Sequence, residues 1–183
     1  DAFEDGNFTS GPVWNDLHSH TILADPTYGG NILCWVYDGV YATDSTGLRL
    51  DVASATWPSA GTWGLKARTI AGSIGSSGQI VRYKFIHDVA TGNGYAAYLN
   101  YNQFILSKVV GGVETTLNWA SITSLDVISS SHTFTIVRDT SGYITAKHYY
   151  AEYDSTTTLT ASGTDMWFDN PTVVISEQGS TIN

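Results

Sequence analysis

Short runs of β-branched and aromatic residues, broken by Gly, Ser, Asn and Asp, recur along most of the chain. Residues 63–69 (Trp-Gly-Leu-Lys-Ala-Arg-Thr) alternate apolar and other side chains, the period of a strand with one buried face. Residues 80–86 repeat that alternation after a Gly/Ser loop at 71–78, and a further strand is expected over 95–101. Residues 104–110 and 113–117 predict a hairpin closed by Gly111-Gly112, a pair that accepts the positive φ angles of a tight primed turn. Residues 132–138 and 143–150 predict a second hairpin, closed around 139–142. The last strand is expected over 166–175, with Pro171 confined to an edge or a bulge. The Thr-rich stretch after Tyr150 reads as a turn, and residues 15–47 are the least regular. No segment has a helical period. About ten to fourteen strands with hairpin turns predict an all-β fold, a two-sheet antiparallel β-sandwich of jelly-roll type. Residues 1–183 are expected to form one domain. Trp63, Tyr83, Phe85, Leu99 and Phe134 fit the inward alternation and are expected in its core.

Charge narrows the function. With 17 acidic against 8 basic residues the net charge is -9, which argues against nucleic acid as a partner. No apolar run approaches the roughly 18 residues of a membrane-spanning helix. Cys34 is the one cysteine, so an internal disulfide and a thiolate zinc site are excluded. Its apolar setting, Ile32-Leu33-Cys34-Trp35-Val36, reads as a buried thiol. Only 14 % of residues are charged, so the polar surface falls to Ser, Thr, Asn and Gly, as in many secreted β-proteins. A chain opening at Asp1 fits a processed or excised domain, and the expected location is secreted, extracellular.

Several segments carry a resemblance. They are the opening Asp1-Ala-Phe3-Glu-Asp5-Gly6-Asn-Phe8 with Pro12-Val-Trp14, then Gly94-Tyr95-Ala-Ala-Tyr98 and Phe104-Ile-Leu-Ser-Lys108. Gly112-Val-Glu114-Thr-Thr-Leu117, His132-Thr-Phe-Thr-Ile-Val-Arg138-Asp139 and the closing Trp167-Phe168-Asp169-Asn170-Pro171-Thr-Val173 follow in order. In order and spacing they resemble the concanavalin A-like (laminin-G-like) jelly-roll domains of secreted bacterial proteins, over roughly residues 1–14 and 63–175. Such domains are mostly carbohydrate-binding or accessory adhesion modules, and some are enzymes. The resemblance also implies adjacent first and last strands tied by calcium. Asp1, Glu4 and Asp5 from the start and Asp169 from the end are the expected ligands of a structural Ca2+.

Lys66 and Arg68 share one strand face, and Arg82 and Lys84 share another. If the loop 71–78 closes a hairpin, four of the eight basic residues lie together and suit an anionic glycan. Asp51, alternating with Arg49, is the kind of acid that would instead neutralise that face internally. Sugar sites pair an exposed aromatic with hydrogen-bonding groups. Tyr98 with Asn100, Tyr149 on the parity of Lys147, Trp57 in a loop and Trp119 after a strand end are the aromatic candidates. The expected ligand contacts are Lys66, Arg68, Arg82, Lys84, Tyr98 and Lys147. His18 and His20 lack a third metal ligand and read as a solvated pair.

Catalytic patterns are thin. Glu152-Tyr-Asp154 is the nearest match to the alternating carboxylates of jelly-roll glucanases, but it lies past a strand end. Lys66-Ala-Arg68, Gln79-Ile80-Val81 and Tyr101-Asn-Gln103 echo jelly-roll alginate lyases, with Val81 where their histidine stands and His87 as a nearby base. The expected function is therefore a non-catalytic carbohydrate-binding module of a secreted protein, its partner a polysaccharide, an anionic one included. The alternative is a self-associating extracellular subunit, such as a filament, surface-layer or viral fibre domain. A polysaccharide lyase or hydrolase ranks third.

Overall fold

The computed structural model describes residues 14–16, 20–24, 31–35, 48–50, 60–68, 80–88, 90–100, 102–122, 131–163 and 172–178. The first strands are β1 (Trp14–Asp16), β2 (His20–Ala24), β3 (Asn31–Trp35) and β4 (Leu48–Leu50). The middle of the chain forms β5 (Gly61–Arg68), β6 (Ile80–His87), β7 (Gly94–Asn100), β8 (Gln103–Val110) and β9 (Val113–Ser121). The remainder forms β10 (Ser131–Arg138), β11 (Tyr143–Tyr150), β12 (Ser155–Ser162) and β13 (Thr172–Gln178). A three-residue 3-10 turn, Ala151–Tyr153, is the one helical piece among the described residues.

Seven strands pair in the order β1-β4-β13-β6-β7-β8-β9 and four in the order β12-β11-β10-β5, while β2 and β3 pair separately. Both larger sheets are antiparallel throughout. Their inner faces meet in one core, with Phe85, Tyr95, Leu99 and Phe104 from one sheet and Trp63, Phe134, Ile136 and Leu159 from the other. Ring pairs cross the gap: Trp63 lies 5.5 Å from Phe85, and Phe104 lies 5.9 Å from Phe134. Each such buried ring contributes about 2–3 kcal/mol of transfer free energy. All five core residues expected from the alternation are buried here.

The strict alternation of the four-stranded sheet follows from its two environments. On β10 and β11, His132, Phe134, Ile136 and Ile144, Ala146, His148 are buried, and the residues between them face out. The seven-stranded sheet differs, because Ala96, Tyr98, Ile105 and Ser107, at its outward positions, are buried too.

Two hairpins form where the turn chemistry predicts them. Gly111 and Gly112 carry φ of 57° and 78° between β8 and β9. Asp139 closes the β10–β11 turn, its Oδ1 accepting the backbone N–H groups of Ser141 and Tyr143 at 2.9 Å.

Two expectations are corrected. The loop after β5 does not close a hairpin, since β5 pairs with β10 in one sheet and β6 with β13 and β7 in the other. The Thr-rich stretch after Tyr150 is the strand β12, for Thr suits a pleated surface and needs only Leu159 buried behind it. The opening strand expected to lie beside the last one falls within residues 1–13, outside the described residues. Asp1, Glu4, Asp5 and Asp169, the expected calcium ligands, lie outside the described residues.

Candidate functional site

Among the described residues β9 is one of the two edges of the seven-stranded sheet, and a β-bulge gives it an unusual surface. The register jumps between Leu106 opposite Asn118 and Ser107 opposite Thr116, which leaves Leu117 as the extra residue. Leu117 packs against the core. Asn118 bridges the two sheets: its Nδ2 donates to the Thr160 carbonyl of β12 at 2.8 Å. Its Oδ1 accepts the backbone N–H of Trp119, also at 2.8 Å.

The bulge sets Thr116 and Trp119 three positions apart instead of two. A hollow of about 560 Å³ opens there, lined by Gln103, Ile105, Thr116, Leu117, Asn118 and Trp119. Ile105, directly opposite Trp119 in register, forms an apolar floor and is buried. The Trp119 side chain is 53 % exposed, a large apolar ring left open to solvent. Gln103 and Thr116 supply an amide and a hydroxyl beside it. No lining residue is charged. An open indole with neutral hydrogen-bonding groups at its edge suits a ligand with one apolar face and a polar rim.

The expected contact residues divide between the two sheets. Lys66 and Lys147 are exposed on the outer face of the four-stranded sheet. Arg68, two residues along β5 from Lys66, stands opposite Ser131. Arg82 and Lys84 lie on β6 in the other sheet, opposite Tyr98 and Ala96. The four basic residues on β5 and β6 therefore do not form one patch. Tyr98 is buried at 8 % exposure, so its ring is not a surface platform. The three segments of the lyase-like echo are split in the same way, with β5 in one sheet and β6 in the other.

Glu152 and Asp154 have local structural partners. Glu152 accepts the Ser131 backbone N–H at 2.8 Å, and Asp154 accepts the Tyr149 hydroxyl at 3.1 Å. That hydrogen bond to Asp154, with the charge nearby, raises the Tyr149 pKa. Among the described residues no group of three His, Cys, Asp or Glu is placed to hold a metal ion.

Trp119 was legible as a candidate, but its neighbours were not. The bulge that opens the hollow depends on pairing across β8 and β9, which leaves no local signal in sequence.

Two layers of antiparallel sheet with this strand order are the concanavalin A-like jelly-roll fold. The carbohydrate-binding module CBM66 from Bacillus subtilis superposes with a TM-score of 0.51 at 14 % identity, over 90 % of each chain. Peanut lectin aligns with a TM-score of 0.46 at 10 % identity, over 97 % of this chain and 88 % of its own. A family 7 alginate lyase, A1-II', aligns with a TM-score of 0.46 at 16 % identity, over 87 % of this chain and 69 % of its own. No protein-family model matches the sequence, and no curated protein matches it.

Proposed function

We propose that the domain is a non-catalytic carbohydrate-binding module that seats a sugar ring on Trp119. The observation that carries this reading is the exposed Trp119 indole over an uncharged hollow with Gln103 and Thr116 at its side. A pyranose presents apolar C–H groups on one face and hydroxyls around its edge. The indole suits the first, and the amide and hydroxyl suit the second. The hollow falls in the range of small-ligand sites, roughly 300–1,000 Å³. Its lining contains no titratable side chain, which favours binding over acid–base cleavage at this place. A structure sharing the fold over 90 % of its length is a carbohydrate-binding module, which supports the same use here.

Asn118 is a positioning residue in this site. Both ends of its amide are engaged, so it fixes the bulge on which Trp119 stands. Secretion belongs to the same proposal, as does a structural calcium ion held by Asp1, Glu4, Asp5 and Asp169. Chelator is expected to lower the melting temperature, and an unchanged melt removes the ion from the account.

Affinity electrophoresis through gels containing neutral polysaccharides tests the sugar site. Trp119→Ala is expected to weaken retardation by about 2 kcal/mol, roughly 30-fold, the effect of losing a central aromatic anchor. Equal retardation of wild type and variant by the same polymer contradicts the assignment.

A further inference from the structure

The four-stranded sheet is built from strands without a carboxylate. Its strands β5, β10, β11 and β12 contain no Asp or Glu, in a chain with 17 of them. They hold Lys66, Arg68, Arg138 and Lys147, which are four of the eight basic residues. Arg138 belongs to the interior, where it is buried over the Tyr95 ring and donates to the Gly163 carbonyl. Lys66 and Lys147 are exposed on the outer face.

The outer face of β11 reads Tyr143, Thr145, Lys147, Tyr149, with both tyrosines exposed. The two rings are six positions apart, so they stand roughly 20 Å apart along the strand. Lys66 sits in the same cross-strand row as Tyr149, with Thr133 between them. Lys147 lies one row further along, opposite Thr135 and Thr158. The rows between the rings are otherwise threonine, with Val137 and Gly64 as the exceptions. Among the described residues three acids stand at its margin: Asp139 in the turn at the Tyr143 end, accepting the Ser141 and Tyr143 N–H groups, and Glu152 and Asp154 at the Tyr149 end, engaged by Ser131 and Tyr149.

We propose that this face is a second site, which binds an extended anionic polysaccharide running along β11. Carboxylate or sulfate groups meet Lys66 and Lys147, sugar faces lie against Tyr143 and Tyr149, and the threonines hydrogen-bond the chain's hydroxyls. This site lies on the other sheet from Trp119 and differs from it in charge, so the two are separable by ligand. No acid shares a cross-strand row with either lysine, so both can meet an anion without a carboxylate directly beside them on the sheet.

The test is affinity electrophoresis in gels containing polygalacturonate, dextran sulfate, polyphosphate or a neutral glucan, at low and raised salt. The double variant Lys66→Gln with Lys147→Gln is expected to lose at least tenfold in affinity for the acidic glycans while retaining any neutral-glucan retardation. Tyr143→Ala is expected to weaken acidic-glycan binding several-fold, and Trp119→Ala to leave it unchanged. Polygalacturonate and dextran sulfate in separate gels distinguish carboxylate from sulfate recognition. Acidic-glycan retardation unaffected by the double lysine variant overturns the proposal. So does equal retardation by polyphosphate, or a dimer in light scattering with no retardation by either acidic glycan. Failure of the Trp119 site alone leaves the lysine result readable, because that variant is measured on a different polymer.

Discussion

His132 and His148 are the residues through which acid reaches the core. They lie on neighbouring strands, His132 Nδ1 at 3.0 Å from His148 Nε2, enclosed by the rings of Phe104, Phe134 and Tyr150. Such a bond needs one nitrogen to donate and the other to accept. His132 Nε2 has no partner among the described residues, so the least costly tautomer keeps the proton on its Nδ1. Burial lowers the His132 pKa to about 4, against a smaller opposing pull from Glu152. Burial and the neighbouring His132 lower that of His148 to about 3. In the unfolded chain both titrate near their ordinary value of about 6.5. The stability these neutral rings confer is therefore full above that value and is lost as pH falls toward 4. The slope approaches about 1.4 kcal/mol per pH unit for each histidine. Urea midpoints are expected to fall between about pH 7 and pH 5, above the range where most carboxylates titrate. A double change of His132 and His148 to Phe flattens that limb. An equally steep limb in the double variant contradicts the assignment.

Gly163 makes a second residue-scale test. A Cβ there would stand 2.5 Å from Ile144 Cδ1 and 3.1 Å from the Gly142 carbonyl. Gly163→Ala is expected to cost about 1–3 kcal/mol in denaturant unfolding, as an overpacked core does. At this scale the inward alternation exposed Trp63, Phe85 and Phe134 as core in the sequence. The parity of Tyr98 marked it as outward, and it is, but what lies over that position is a tertiary matter that alternation does not record.

Among the elements, the bulged edge strand β9 has the most to explain. An edge with unpaired N–H and C=O groups invites pairing with another chain. Asn118 answers the exposure on two strands at once, satisfying Trp119 N–H on β9 and the Thr160 carbonyl on β12. Asn118→Ala is expected to cost about 1 kcal/mol of stability and to increase self-association. Denaturant midpoints check the first and light scattering the second; a monomeric variant of unchanged midpoint contradicts the role. The hairpins were legible because Gly111-Gly112 and the Asp139 turn state their geometry locally. β12 was not, because seven of its eight positions are not fully buried and its polarity resembles a turn. The bulge in β9 was not either, since it is defined only against β8.

For the whole molecule, sheet membership redistributes the charge that sequence proximity seemed to gather. β5 and β6 follow one another, yet the chain crosses between sheets after β5, so Lys66 and Arg82 belong to different sheets. Lys147, far away in sequence, joins the sheet of Lys66 through β10. The sandwich thus offers a neutral, aromatic hollow on one sheet and an acid-free, lysine-bearing face on the other. The fold class was readable from periodicity and turns. The partition of surface residues was not, because it depends on which strands pair.

The central claim is that Trp119 is the sugar platform. It is tested most directly by the indole N–H resonances of the 6 tryptophans during titration with neutral oligosaccharides, Trp119 being assigned by its loss in Trp119→Ala. The account predicts that the Trp119 signal shifts most and saturates with binding, while the buried Trp63 signal stays in place. Saturable binding that leaves the Trp119 resonance unmoved would contradict it.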